Sequence, residues 1–488
     1  MMLVEPVELV PADELGGVHF IAIGGAGMSG IARLMCELGL SVSGSDQQDS
    51  PVLADLRARG AEVWVGHDAA QVGPGVGTVV ISSAIRETNP ELAEARRRGL
   101  RVWHRSAALA ALMLGKRGVA VAGTHGKTTT SAMTAVALLG AGLNPSYVVG
   151  APLGNTGTSA ALGSGEAFVV EADESDGSFL QYPATHGVVT NIEADHLDNW
   201  HTPQAYAAGY RRFAEQVRTL VVNIDDPGAR ELADELRTAA SSGSAHRAPV
   251  QQRVITCGTD AGADVRLSDI RHNPARADGW LIGATVTTAD TEVTLRLRVP
   301  GVFNLHNAVA AWTVAVDLGA DPVAAAAALG DFVGTHRRFE FTGEVAGVSV
   351  YDDYAHHPTE VSATLTAACD AVAGTGRVIA CFQPHLFSRT RDFAGEFGRG
   401  LRLADQVVLT EIYPAREDPI PGVTGQLIVE AVRSADPARA DSVHWCADRD
   451  EVPAVVAALA EPGDLVLTLG AGDITTVAPA IVAALEQR

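Results

Sequence analysis

A chain of 488 residues has room for about three domains. Its 47% hydrophobic and 19% charged residues exclude a disordered protein. A formal net charge of −22 excludes a general nucleic-acid binder, so an anionic ligand must be held by local cations, backbone N–H groups or Mg²⁺. No apolar run reaches the ~18 residues of a membrane span. The acidic, proline-bearing start MMLVEPVELVPADELGG does not have the form of a secretion signal. Five cysteines without CxxC spacing read as idle thiols. Together these features predict a cytoplasmic protein with neither nucleic acid nor membrane as partner.

Residues 18–115 alternate strand and helix. VHFIAIGG, SVSGSD, EVWVG, TVVISS and RVWHR read as strands, and MSGIARLMCELG, PELAEARRRG and SAALAALML as helices. This βαβ alternation predicts a parallel sheet covered on both faces. Between the first strand and helix lies GGAGMSG, in which Gly25, Gly27 and Gly30 meet the GxGxxG pattern. Asp46 ends the next strand, 19 residues past Gly27. Such a turn seats a diphosphate on a helix N-terminus, and an acid at the Asp46 position accepts from a ribose hydroxyl or caps its own turn. On this motif alone NAD is an alternative ligand.

Residues 116–330 open a second unit. GVAVAG reads as a strand, GTHGKT as a compact phosphate loop and TTTSAMTAVALLGAG as the helix after it. The usual pattern would place glycine at position 121, where this chain has Val121, and Gly123 comes two places later. The backbone N–H groups still converge, with the helix dipole behind them. Lys127 adds a cation and Thr128 a hydroxyl suited to Mg²⁺. The chain has only two lysines, Lys116 and Lys127, against 34 arginines. A lysine that survives in this loop fits a task for a compact ammonium that a planar guanidinium performs poorly. AFVVEADES and GVVTNIEADH read as strands ending in acids. Glu171 is a strand-tip metal ligand in this reading, with Asp173, Glu174 and Asp176 behind it. His196, between Asp195 and Asp198, is a second candidate for metal or carboxylate. SSGSAHRAPVQQ reads as a surface insertion. ADVRLSDI and TEVTLRLRVPG read as added sheet, and NLHNAVAAWTVAVDLG and DPVAAAAALG as helices.

Residues 331–488 form a third α/β unit, with strands GRVIACFQ, QVVLTEIY, SVHWC and DLVLTLGAG. GTHRRFE brings Arg337 and Arg338 to the junction, where an arginine can close on phosphates. VYDDYAHHPTEV carries Asp353, His356 and His357, candidates for a nucleotide ribose, a carboxylate or a proton. QPHLFSRTRDF places His385, Arg389 and Arg391 at the start of a helix, a setting in which arginine binds carboxylate or phosphate. The glycine turn in LTLGAGDI has no assigned role. Two phosphate sites in successive domains, followed by a cationic, histidine-rich third domain, suit a ligase that activates a carboxylate as an acyl phosphate. Phosphoryl transfer asks mainly for positioning and charge neutralisation, and closure of the domains would exclude water. An NAD-dependent oxidoreductase leaves GTHGKTTT and EADESD without a role. A nucleotide switch without ligation is the other alternative.

Taken in order, GGAGMSG…GSD, GTHGKTTT, EADESD, TNIEADHLD, NLHNAVAA, HRRFE, DDYAHHPTEV and FQPHLFSRTRDF resemble the Mur ligases over about residues 18–475. GTHGKTTT marks the wider superfamily that includes the folylpolyglutamate ligases. GGAGMSG with EADESD and DDYAHHP is more specific and points to the member that joins L-alanine to UDP-N-acetylmuramate, or to its relative that reattaches recycled tripeptide. The resemblance implies a three-domain α/β chain. Residues 1–115 form a Rossmann-like UDP-sugar domain, 116–330 a P-loop ATPase domain, and 331–488 a Rossmann-like amino-acid domain. It implies ATP and Mg²⁺ as cofactors, small-molecule substrates, and a monomer or homodimer. By resemblance the UDP-sugar lies on Gly24, Gly25, Ala26, Gly27, Met28, Gly30, Asp46 and Ser82. ATP lies on Gly123, Thr124, His125, Gly126, Lys127, Thr128 and Thr129, with Asn304 and Asn307 on the adenine side and Arg338 and Asp353 in the third domain. Thr128, Glu171 and His196 serve the metal. Lys127, Glu171, His196, Arg338 and Asp353 form the catalytic set. His357, His385 and Arg389 receive the incoming amino acid. Two positions depart from the pattern, Phe303 where relatives often have histidine and Leu386 where they often have arginine.

Overall fold

The computed structural model describes residues 3–241, 252–273, 279–374, 376–415 and 417–488. Most of the expected insertion at 239–252 falls outside these residues. Three sheets follow one another along the chain, each with helices between its strands, as an α/β fold of three domains requires. By density of contacts the chain forms two compact units. The first is Met1–Ser268, Thr285–Thr294 and His306–Leu329, and the second is Asp269–Ala284, Leu295–Leu305 and Gly330–Arg488.

The first unit holds the first sheet, β1 (Gly17–Ile21), β2 (Val42–Asp46), β3 (Glu62–Val65), β4 (Val76–Ile81) and β5 (Arg101–His104), in the order β3-β2-β1-β4-β5. Every pairing is parallel. From Val18 to Ile21, β1 is fully buried, the pattern of a parallel strand covered on both faces. The chain order reverses beside β1, so the crevice for a ligand opens at the C-terminal end of β1, where GGAGMSG lies.

The second sheet contains β6 (Arg117–Ala122), β7 (Ser146–Val148), β8 (Ala160–Ala161), β9 (Ala167–Glu171), β10 (Ala184–Val189), β11 (Thr219–Asn223), β12 (Arg253–Gly258), β13 (Val265–His272), β14 (Ile282–Thr287) and β15 (Glu292–Leu297). Its order is β15-β14-β13-β12-β11-β10-β6-β9-β7-β8. The phosphate-loop strand β6 sits between β10 and β9, parallel to both. Loops leaving all three strands therefore meet at one edge. Sequence reasoning expected the run through Glu193 to be strand. Instead β10 stops at Val189, so Glu193, Asp195 and His196 stand on the loop beyond it. The reason is polarity, because burial ends at Thr190 and the polar residues that follow cannot stay in a covered sheet.

In the second unit the third sheet contains β16 (Glu340–Val345), β17 (Val348–Asp353), β18 (Val378–Phe382), β19 (Gln406–Leu409), β20 (Val443–Trp445) and β21 (Leu465–Leu469), ordered β16-β17-β21-β18-β19-β20. Among the described residues of this sheet only β16 and β17 pair antiparallel, around Ala346 and Gly347, both at positive φ, as a two-residue hairpin turn requires. Among the described residues no helix is long and apolar enough to cross a membrane. All five cysteines are free thiols.

Candidate functional site

The compact loop is made by two glycines. β6 is buried from Gly118 onward and delivers the chain at Ala122. Gly123 (φ +140) and Gly126 (φ +81) then turn it into the helix Lys127–Gly140. A Cβ on Gly123 would lie 1.8 Å from Thr190 Oγ1, and one on Gly126 would lie 2.7 Å from Asn307 Oδ1. Neither position admits another residue without displacement. The loop is braced by His125 N–H donating to Asn191 Oδ1 at 2.8 Å and Thr124 N–H to Asn191 O at 3.2 Å.

Lys127 folds back over this loop. Its ammonium donates to Gly123 O at 2.7 Å, Thr124 O at 3.0 Å and Glu174 Oε1 at 3.0 Å. Burial pulls its pKa down, but the Glu174 and Asp173 carboxylates outweigh this, so it stays above the ordinary lysine range. Glu174 is wholly buried. That burial pushes its carboxyl up to about 7 against the attraction of Lys127. The sequence offered four acids around this turn, and only the fold shows that Glu174 is the one that pairs with the loop lysine.

Glu171 ends β9, and its Oε2 accepts from Gly150 N–H at 2.8 Å. A Cβ built on Gly150 would lie 2.4 Å from Glu171 Oε2 and 3.0 Å from Thr128 Oγ1. The two oxygens therefore face one small space that any side chain at 150 would fill. Hard oxygen donors around such a cradle fit a Mg²⁺ ion. His196 has a left-handed backbone (φ +53). Its Nε2 lies 3.8 Å from Glu174 Oε1 and 3.6 Å from Asp195 Oδ2. Thr130 donates to Asn307 Oδ1 at 3.0 Å, which ties Asn307 to the phosphate-loop helix.

The first glycine turn belongs to the same unit. Gly24 N–H donates to Asp46 Oδ2 at 2.9 Å, so Asp46 fastens its own turn. Gly25 caps the helix Ala26–Glu37, and Met28 is buried. A Cβ on Gly27 would meet the Arg105 side chain at 3.2–3.3 Å, so the guanidinium lies over the turn. Gly30 points elsewhere, with its α-carbon facing Ala160 and Val148, where it permits close packing of the helix on the second sheet. Arg105 Nη2 donates to Asp173 Oδ2 at 3.0 Å. Asp173 is held below the usual carboxylate range because burial, which would raise it, is outweighed by Arg105 and Lys127. Ser82 follows β4. Its neighbour Ser83 donates to Asp176 Oδ2 at 2.7 Å and lies 3.1 Å from His104 Nε2. Sequence reasoning missed Arg105, Ser83 and His104. The basic pair His104-Arg105 that closes the run RVWHR was the available signal.

In the second unit, Asp353 ends β17, and its two oxygens accept from Phe339 N–H and Ala355 N–H, each at 2.8 Å. Burial pushes its carboxyl up to about 6, opposed by Arg338. Arg337 and Arg338 lie over the Tyr354 ring at 4.8 and 5.1 Å. Arg337 also donates to Asp352 Oδ2 at 3.2 Å and to Gly472 O at 3.2 Å, which gives the glycine turn of LTLGAGDI a structural partner. Asn304 donates to Pro300 O at 2.7 Å. His357 is buried at the start of the helix Pro358–Val372 and packs edge-on against Phe393. His385 stacks on Tyr413 at 5.8 Å and meets His356 edge-on at 5.7 Å. Burial, helped by His356 and Arg389, drives its pKa down to about 4. Leu386 carries φ +73 at the cap of the helix Phe387–Leu401, which also bears Arg389. Phe303 packs on the apolar core of this unit.

Three family models match consecutive parts of the chain. They are the Mur ligase family catalytic domain at residues 17–117, the Mur ligase middle domain at 121–315 and the Mur ligase glutamate ligase domain at 337–472. The UDP-N-acetylmuramate–L-alanine ligase of Cutibacterium acnes is 57% identical over 488 residues, covering 100% of this chain and 99% of its own. The enzyme of the same name from Kineococcus radiotolerans is 52% identical, with 97% of each chain covered. Among solved structures, the UDP-N-acetylmuramate–alanine ligase of Thermotoga maritima superposes with a TM-score of 0.78 at 26% identity, covering 97% of this chain and 99% of that one. A murein peptide ligase from Psychrobacter arcticus shares the fold with a TM-score of 0.67 at 24% identity, covering 97% and 99%.

Proposed function

This chain belongs to the Mur ligase family, and we propose that it joins L-alanine to the carboxylate of UDP-N-acetylmuramate at the expense of ATP, in peptidoglycan precursor synthesis. The observation that carries the reading is a pair of adjacent acids. Asp173 holds Arg105 over the first glycine turn, and Glu174 holds Lys127 over the second. One short turn thus serves two phosphate-binding loops, which an oxidoreductase with a single nucleotide has no use for.

In this mechanism Gly24–Met28, with Arg105 above Gly27, hold the sugar-nucleotide diphosphate, and Asp46 keeps the turn closed. Gly123–Thr129 receive the ATP phosphates. Lys127 transfers its donors from loop carbonyls to phosphate oxygens and neutralises charge as it develops. Thr128 and Glu171 would hold Mg²⁺, with His196 beside them, and the metal would supply further neutralisation. The muramyl carboxylate oxygen attacks the γ-phosphorus, the bond to the bridging oxygen breaks, and ADP leaves. The alanine amine then attacks the acyl carbon, loses a proton and expels phosphate. His357, His385 and Arg389 receive the amino acid, while Asn304, Asn307, Arg338 and Asp353 contact the nucleotide. In this reading the domains are 1–115, 116–330 and 331–488, and the reaction runs in the cytoplasm. ADP release with UDP-N-acetylmuramate, measured while single amino acids or the tripeptide are varied, tests the reading. Turnover is expected with L-alanine, and turnover with tripeptide alone would transfer the chain to the recycling branch.

A further inference from the structure

The turn that carries Glu174 has almost no freedom, because its carbonyls are taken up one after another. Asp173 O accepts from Phe179 N–H, Glu174 O from Trp200 Nε1–H at 2.8 Å, and Ser175 O from Asn199 at 2.9 Å. Asp176 O accepts from a donor far away in the sequence, the Val4 N–H at 2.7 Å. Three residues on, Val7 is gripped from both sides by one amide. Its N–H donates to Gln181 Oε1 at 2.7 Å and its carbonyl accepts from Gln181 Nε2 at 3.0 Å. Gln181 is 7% exposed, so without Val7 both ends of a buried amide would lose these partners. Leu3 lies 3.3 Å from the position of a Cβ on Gly177, which itself takes φ +78. Leu3, Leu9 and Val10 pack on the apolar core of the unit, while Glu5, Pro6, Val7 and Glu8 are exposed.

We propose that residues 3–10 act as a strap that positions the acidic turn Asp173–Gly177 for nucleotide binding, with Gln181 as the positioning residue that clips it in place. The inference rests on the role given above to Lys127 and Glu174. A strap that only added stability would be held by its apolar side chains. Here three backbone groups of the strap, held by the Asp176 carbonyl and the Gln181 amide, fix its register against the residues that present Glu174 to Lys127. Loosening it lets Asp173 and Glu174 drift together, so that both Arg105 over the first glycine turn and the Lys127 ammonium over the second are less well aimed.

The test uses Gln181→Leu, Gln181→Glu and a chain lacking residues 1–7. Mg·ADP affinity is measured by calorimetry, alongside KM for Mg·ATP and for UDP-N-acetylmuramate, kcat and the thermal midpoint. The leucine variant and the shortened chain are expected to weaken Mg·ADP binding and raise the Mg·ATP KM about tenfold, with the sugar-nucleotide KM rising as well because Asp173, which holds Arg105, lies in the same turn. Gln181→Glu keeps the acceptor for Val7 N–H and loses the donor, so it should fall between. A lower thermal midpoint with unchanged Mg·ADP affinity in Gln181→Leu would overturn the proposal, even if the shortened chain fails to fold. Wild-type protein that binds Mg·ADP but ligates nothing would refute the ligase reading, and the binding ratio alone would then decide the strap.

Discussion

Lys127 engages two carbonyl oxygens and one carboxylate with a single ammonium, at distances of 2.7–3.0 Å. Three divergent donors on one small centre match that arrangement, whereas a guanidinium directs its donors outward in one plane. Lys127→Arg therefore keeps the charge and loses the geometry. ADP formation is expected to fall at least about a hundredfold, the scale of losing one aimed donor at a developing charge, with UDP-sugar affinity unchanged by calorimetry. Activity near wild type would remove the ammonium from the mechanism. His385 gives a prediction of a different kind. Its folded pKa of about 4 lies below the ordinary 6.5 because burial disfavours the charged ring. Between these values the unfolded chain binds more protons than the folded one, so stability present above pH 6.5 is lost as pH falls toward 4. His385→Phe keeps the ring stack on Tyr413 and removes that loss. Relative to wild type, the variant should gain about 1–2 kcal/mol, after solvent screening, on going from pH 7 to pH 4.5. The difference in urea midpoints at the two pH values reads this directly, and parallel curves would contradict it.

The elements show why a few residues converge. β9 and the loop before β8 bring Glu171 and Gly150 together, and the helix after β6 brings Thr128 to the same spot. Gly150→Ala would place a methyl where both oxygens now face. The expected outcome is an approximately tenfold higher Mg²⁺ requirement for turnover, with the thermal midpoint nearly unchanged. A magnesium titration that overlays wild type would move the metal away from Glu171. The strand–turn–helix logic was legible here because apolar runs, glycines and acids are consecutive, so β1, β6 and β9 and their loops could be read in one pass. Residues whose role depends on reach across the chain were not legible. Arg105 acts on Gly27 and Asp173 through a long side chain, and Gln181 acts on Val7 through a contact 174 positions apart. The hairpin β16–β17 was also missed, because its exposed edge strand alternates weakly and Asp352 and Asp353 look like loop residues until β21 pairs beside them.

At the scale of the whole molecule the sharpest feature is compositional. A chain with net charge −22 that handles two polyphosphate substrates carries 34 arginines and two lysines. The distribution makes the protein its own control for amine chemistry, because only two ε-amines can react with an acylating reagent. Lys116 donates to Gly165 O at 3.0 Å and is partly exposed. Lys127 is 15% exposed at its side chain, paired with Glu174 and held in the charged form, which is not the nucleophile. Lys116 should therefore be acylated first, with activity retained. Loss of ADP formation should follow the slower adduct at Lys127, and Mg·ATP should protect Lys127 while leaving Lys116 reactive. Peptide mapping against residual activity separates the two events. Inactivation that tracks the Lys116 adduct, or a Lys127 adduct formed equally fast with Mg·ATP present, would show that the nucleotide phosphates do not lie on the loop.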